Sequence, residues 1–298
     1  MDYERFKEGF QDALKAEFAV RGADVELTAR RVDKMNESYD AITVRPMDSS
    51  IGVNISVEKA FAAYENGTPI PEIAEHFADA VEKGFRESPQ VDLESLSDYE
   101  QMKSKLSMEV VSAEKNAELL ESVPHERMED MAVVYRFVLD QTDSGNGTIL
   151  VTNQLLYQYG ITKEQLRADA MENAPEIRPS EIRGMSEVMS ELAPGMILEV
   201  APEDEQMFVV TVPDKIHGAG VIAYPNFMED AAQKMGGDFF VLPSSIHEVL
   251  LVKDNGQMTA KELENMVKEV NATQVEPADQ LTDLPGTWLI CNKKEEAK

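Results

Sequence analysis

Cysteine is almost missing from this chain: Cys291 is the only one among 298 residues. No intrachain disulfide can form, and no multi-cysteine metal centre can be assembled. Long apolar runs are missing as well, and no stretch approaches the roughly 20 residues that a membrane-spanning helix needs. The opening MDYERFKEGFQ has no basic segment followed by an apolar run, so no secretory signal is expected there. Cations are scarce, with 28 Lys+Arg against 56 Asp+Glu and a formal net charge of -28. Affinity for phosphate backbones and anionic lipids rests largely on cations, so neither direct nucleic-acid binding nor membrane binding is expected. Together these absences read as a cytoplasmic protein. The acid excess keeps such a surface soluble. It also suits a basic protein partner or, as a special case, an imitation of DNA that captures a DNA-binding protein.

What is present is a globular composition. Hydrophobic residues make up 43%, enough for a core, and Met is rich at 16 copies. Met adapts to irregular gaps, so it marks a soft interior or a contact surface. Phe6, Phe10, Leu14 and Phe18 recur every fourth position, which predicts an amphipathic helix over 2–20. Alternation at Val25, Leu27 and Ala29, at Ile42 and Val44, and at Ile51, Val53 and Ile55 predicts a three-stranded antiparallel meander. Two helices follow, the second with Ile70, Ile73, Phe77, Val81 and Phe85 facing inward. Farther on, strands are predicted at 105–112, 131–139, 149–151, 196–201, 207–212, 221–223 and 287–291, and on both sides of 243–246. Helices are predicted over 162–173, 180–192, 226–235 and 259–271, with Thr162 and Gln165, and Thr259 and Glu262, as capping boxes. Segments 54–81 and 149–174 share an order of strand, short helix, glycine and Thr-capped long helix, as a duplicated unit would, although a helix-turn-helix after a strand is also a common arrangement without duplication.

Chemistry-bearing residues crowd one stretch, DFFVLPSSIHEVLLVKDNG, where Ser244, Ser245, His247 and Glu248 stand within five positions. Members of a nucleophilic triad normally come from distant segments and meet head-on. Two residues of one strand stand parallel instead, and no G-x-S-x-G elbow is present. The stretch therefore reads as a turn between two strands. HGAG, at 217–220, lacks both the GxGxxG and the Walker patterns, and its glycines read as a tight turn. His76 has no metal-type ligand at helical spacing except acids such as Glu72, HExxH is absent, and His125 follows Pro124 in a loop. With 56 acids in the chain, adjacent acidic pairs such as Glu129-Asp130 carry no catalytic signal.

The stretches MEDMAVVYRFVLD (128–140), NQLLYQYGITKEQLRADAMENAPE (153–176) and GGDFFVLPSSIHEVLLVKD (236–254) resemble an uncharacterised bacterial family from gut anaerobes, a domain of unknown function. The VVYR strand and the L-x-x-x-A-x-x-N helix also look distantly like a second uncharacterised family, from Gram-positive bacteria. The resemblance implies a cytoplasmic, two-part α+β protein and no mechanism. The expected fold is α+β with mostly antiparallel sheets, an N-terminal domain over 1–120 and a C-terminal domain over 121–298. The expected function is a non-enzymatic protein-binding or regulatory module without cofactor or metal. The alternative is a hydrolase using Ser244 or Ser245 with His247 or His217.

Overall fold

A computed structural model of the chain describes residues 1–49, 51–87, 93–142, 145–193, 200–201, 203–243, 245–256 and 258–282. The chain forms two compact units, Met1–Gln90 and Val91–Lys298. The division falls before residue 120 because Leu106–Ser112 pairs with Met131–Thr142, which ties that strand to the second unit.

The first unit runs α1 (Tyr3–Val20), β1 (Val25–Lys34), β2 (Glu37–Pro46), β3 (Val53–Ser56), α2 (Val57–Glu65) and α3 (Ile70–Glu87). Asp2 caps α1 by accepting the Arg5 N–H at 2.9 Å. The predicted stripe of Phe6, Phe10, Leu14 and Phe18 is completely or almost completely buried. Each such side chain contributes about 1.5–3 kcal/mol of burial. The stripe packs with Ile42, Val44 and Ile55 from the sheet and with Ile73, Ala78 and Val81 from α3. The sheet is the expected meander, β1-β2-β3, antiparallel throughout. Its first hairpin is longer and tighter than the sequence suggested: Lys34 pairs with Glu37, and Asn36 takes a left-handed φ of 60° in the turn.

The second unit opens with α4 (Leu93–Leu96), α5 (Tyr99–Met102), β4 (Leu106–Ser112), α6 (Ala117–Ser122), β5 (His125–Met128), β6 (Met131–Thr142) and β7 (Gly145–Leu150). It continues through α7 (Asn153–Tyr159), α8 (Lys163–Ile177), β8 (Glu181–Gly184), α9 (Met185–Leu192) and β9 (Met207–Thr211). It closes with α10 (Phe227–Met235), β10 (Phe239–Leu242), β11 (Val249–Lys253) and α11 (Ala260–Thr273). Two antiparallel sheets result: β6 is flanked by β4 on one side and by β5 and β7 along the other, and the second sheet has the order β10-β11-β9-β8. One core joins them, with Met108, Met131, Tyr135 and Phe137 from the first sheet and Val210, Phe239, Val241 and Leu251 from the second. Met35, Met102, Met108, Met131 and Met235 are buried, so these methionines fill the interior, whereas Met47 is 59% exposed.

Several local expectations change. The residues 181–184 form β8 because they pair with β9, and the helix begins only at Met185. Residues 218–223 form a 3-10 turn rather than a strand. Thr259 and Glu262 make the reciprocal capping box, while Thr162 caps α8 through the Gln165 N–H. The two echoing segments share their left-handed glycines, Gly67 (φ 96°) and Gly160 (φ 67°), but β3 borders a three-stranded sheet and β7 flanks the long β6. The strands expected at 287–291 and, for most of its length, at 196–201 lie outside the described residues, as do Trp288 and Cys291.

The aromatic stripe of α1 holds the first unit together. Phe10→Ala is expected to destabilise that unit by about 3–5 kcal/mol, read as a lower urea midpoint in far-ultraviolet circular dichroism. A change under about 1 kcal/mol would show that the stripe is not the core.

Candidate functional site

Charged residues inside apolar strands lead to the site. Glu109 sits in the middle of β4, whose seven residues are all buried, and Arg136 sits in β6. A buried charge requires a partner. The Arg136 Nε donates to Glu109 Oε2 at 2.6 Å, and its Nη1 donates to the Thr148 hydroxyl at 3.2 Å. Glu109 Oε2 also lies 3.5 Å from His217 Nδ1. That is electrostatic contact without hydrogen-bond geometry, for Nδ1 is fully buried and has no hydrogen-bond partner.

The HGAG turn brings His217 there. His217 adopts a left-handed φ of 54°, and the 3-10 turn Gly218–Ala223 follows it. A Cβ on Gly218 would lie 2.6 Å from the His247 carbonyl oxygen and 2.8 Å from the Val212 nitrogen, and would collide with the Thr211 hydroxyl. A Cβ on Gly220 would run into the Met108 carbonyl oxygen, with the Met108 carbonyl carbon 3.0 Å away. Both glycines are therefore there for close backbone approach, which no other residue permits.

The loop between β10 and β11 locks onto this turn. The Ala219 N–H donates to the Ile246 carbonyl at 3.1 Å, and the Thr211 hydroxyl donates to the His247 carbonyl at 2.8 Å. The His217 backbone N–H donates to His247 Nδ1 at 3.1 Å. That bond assigns the proton of the neutral imidazole to Nε2, which lies 3.4 Å from Asp279 Oδ1. The two rings stand 5.4 Å apart between centroids, nearly edge to face. Arg178, almost fully buried, pairs with Asp214 at 2.6 Å and donates to the Ile216 carbonyl, fixing the approach to His217.

Of the four expected site residues, His217 and His247 come together, although 30 positions separate them. Ser245 does not join them as a nucleophile. Its hydroxyl oxygen accepts the His247 backbone N–H at 3.0 Å, a local turn bond, and Ser245 bridges to Gln280. Ser244 lies outside the described residues. Among the described residues no hydroxyl hydrogen-bonds to either imidazole, and no group of three His, Cys, Asp or Glu suits a metal ion. His125 caps its own loop through the Val123 carbonyl, and His76 lies edge-on to Phe77. Glu109, Arg136, Arg178 and Asp279 escaped the sequence reading. The signal for the first two was a lone charge of each sign inside an apolar strand.

In the Nε2–H tautomer the Nδ1 lone pair of His247 is engaged by the His217 backbone N–H. Burial lowers the pKa of His217 below its ordinary 6.5; Glu109 opposes this, and Arg136, His247 and Arg178 reinforce it. The cluster is an interlinked set of groups in which His217 Nδ1 and Arg178 Nε have no hydrogen-bond partner.

The residues 3–285 match the model of a family described as Family of unknown function (DUF5688). The chain belongs to that family. No curated protein and no solved structure matches it.

Two concave surfaces lie in the first unit. One, of about 430 Å³, has an apolar floor of Phe18, Val25, Met47 and Phe85 with Ala23 and Pro46. Asp24, Asp48 and Glu82 rim it, and none of its nine lining residues is a cation. Arg21 reaches Glu82 at 3.4 Å while also binding Glu17 and Asp79, so one guanidinium is shared among three carboxylates. The second surface, of about 240 Å³, follows β3.

Two outcomes test the cluster. The unfolded chain binds a proton at His217 before the folded one does, so this contribution is intact above pH 6.5 and is lost as pH falls toward the lower folded value. Thermal melts between about pH 7.5 and 5 should therefore show a drop that His217→Asn flattens, since Asn tolerates the left-handed backbone. An unchanged pH slope in that variant would remove His217 from the account. Separately, Gly220→Ala should cost at least about 1–3 kcal/mol, and a neutral effect would show that the turn does not press on β4.

Proposed function

We propose that this member of DUF5688 is a non-enzymatic protein-binding module whose partner presents a basic segment with an apolar anchor. The supporting observation is the larger cleft of the first unit: a floor of aromatic and aliphatic groups, a rim of three carboxylates and no lysine or arginine among its lining residues. Such a surface takes up an apolar side chain and selects for cations beside it, because complementary charge favours the right partner and penalises acidic ones. The chain's net charge of -28 acts in the same direction at longer range by steering basic partners. Half-exposed Met47 gives the floor an adaptable edge. The engagement of His247 Nδ1 by the His217 backbone N–H, and of the Ser245 hydroxyl oxygen by the His247 backbone N–H, supports the non-enzymatic part of this reading.

Fluorescence anisotropy with a labelled peptide carrying one Phe flanked by lysines tests it. Binding is expected to weaken about tenfold in an Asp24→Lys, Asp48→Lys variant and to fall with added salt. Equal binding of a peptide with glutamates in place of the lysines would overturn the proposal.

A further inference from the structure

The second concave surface has the opposite local charge and a different shape. Strand β3 pairs with β2 on one side, and among the described residues no strand pairs with its other side. All four of its residues, Val53, Asn54, Ile55 and Ser56, line the groove, together with Glu37 and Tyr39 of β2. The opposite wall is α3, through Phe77, Ala80 and Val81. A Cβ built on Gly84 would lie 3.4 Å from Val53 Cγ2, so α3 packs closely on β3 near Val53.

In an antiparallel strand about half of the residues direct N–H and C=O outward, and an unpaired row of these groups is a template for another strand. Cations flank this one. Lys34 and Lys59 both line the groove, with Lys34 Nζ held 5.4 Å over the Tyr39 ring. Arg30 donates to Asn54 Oδ1 at 3.2 Å on the same strand. Glu37 is the one acid among the lining residues. Neighbouring Glu58 is taken up by the Asp40 N–H and the Ser56 hydroxyl. In a chain with twice as many acids as bases, this local excess of cations points to an acidic occupant.

We propose that the free edge of β3 is a strand-addition site for an extended acidic segment of a partner protein, distinct from the acid-rimmed cleft. Main-chain hydrogen bonds to β3 supply the affinity. Lys34, Lys59 and Arg30 select carboxylates on the incoming strand, and the α3 wall accepts its apolar side chains.

The test uses the full chain and a labelled octapeptide of alternating glutamate and valine. Anisotropy should report saturable binding that a Lys34→Glu, Lys59→Glu variant weakens about tenfold, while circular dichroism stays unchanged. The same peptide N-methylated at every second residue, in the register that blocks its pairing edge, should not bind. The Asp24→Lys, Asp48→Lys variant should bind it as the unsubstituted protein does, which separates this site from the cleft. Equal affinity of the two N-methylated registers and the parent peptide would overturn strand addition. Undiminished binding by the lysine variant would overturn the acidic occupant. Sedimentation showing a dimer that excludes the peptide would assign the edge to a second copy of this chain instead.

Discussion

Two glycines set the distances on which the second unit depends. Gly218 lets the 3-10 turn lie against the Thr211 side chain and the His247 backbone, and Gly220 lets it lie against β4 at Met108. With those contacts made, Ala219 reaches Ile246, His217 reaches His247, and Glu109 receives both an arginine and an imidazole. The loop between β10 and β11 is held in the same way from its far side, where the Ile246 N–H donates to the Asp279 carbonyl at 2.8 Å. One short turn therefore brings β4 of the first sheet against the β10–β11 loop of the second and sets His217 beside Glu109.

The electrostatics follow from that geometry. Taking a carboxylate and a guanidinium out of water is costly, and the cost is recovered only when the pair is close and its remaining donors are used. Glu109 and Arg136 meet this condition, with Thr148 taking a further donor. Arg178 and Asp214 meet it only in part: the Ile216 N–H donates to the same carboxylate at 3.1 Å, but the buried Arg178 Nε has no hydrogen-bond partner. His217 is the unsatisfied member: half-buried, near an acid and with Nδ1 short of a hydrogen bond, it has a pKa held below its ordinary value. Groups bonded to one another in this way build a scaffold. Two surfaces of the first unit offer chemistry to a partner, one an apolar cleft edged with acids and the other a strand edge flanked by lysines.

Much of the fold was legible because periodicity reports burial directly. The stripe of α1, the meander and the capping box of α11 all follow from spacing and local bonding. Short strands defined by their partners were not legible. Residues 181–184 carry helix-like composition, and only pairing with β9 makes them extended. The site was half legible. HGAG and the stretch around His247 were visible as turns, but their meeting depends on a chain crossover that no local pattern encodes. Glu109 was hidden because one acid among 56 is unremarkable in a list, and its meaning comes from a strand buried on both faces.

The state of His247 tests the cluster most directly. Long-range proton–nitrogen correlation NMR on the folded protein near neutral pH should show the Nε2–H tautomer, with Nδ1 as an unprotonated hydrogen-bond acceptor. A spectrum with the proton on Nδ1, or an imidazole averaging freely between tautomers, would contradict the bond from the His217 backbone and the arrangement built on it.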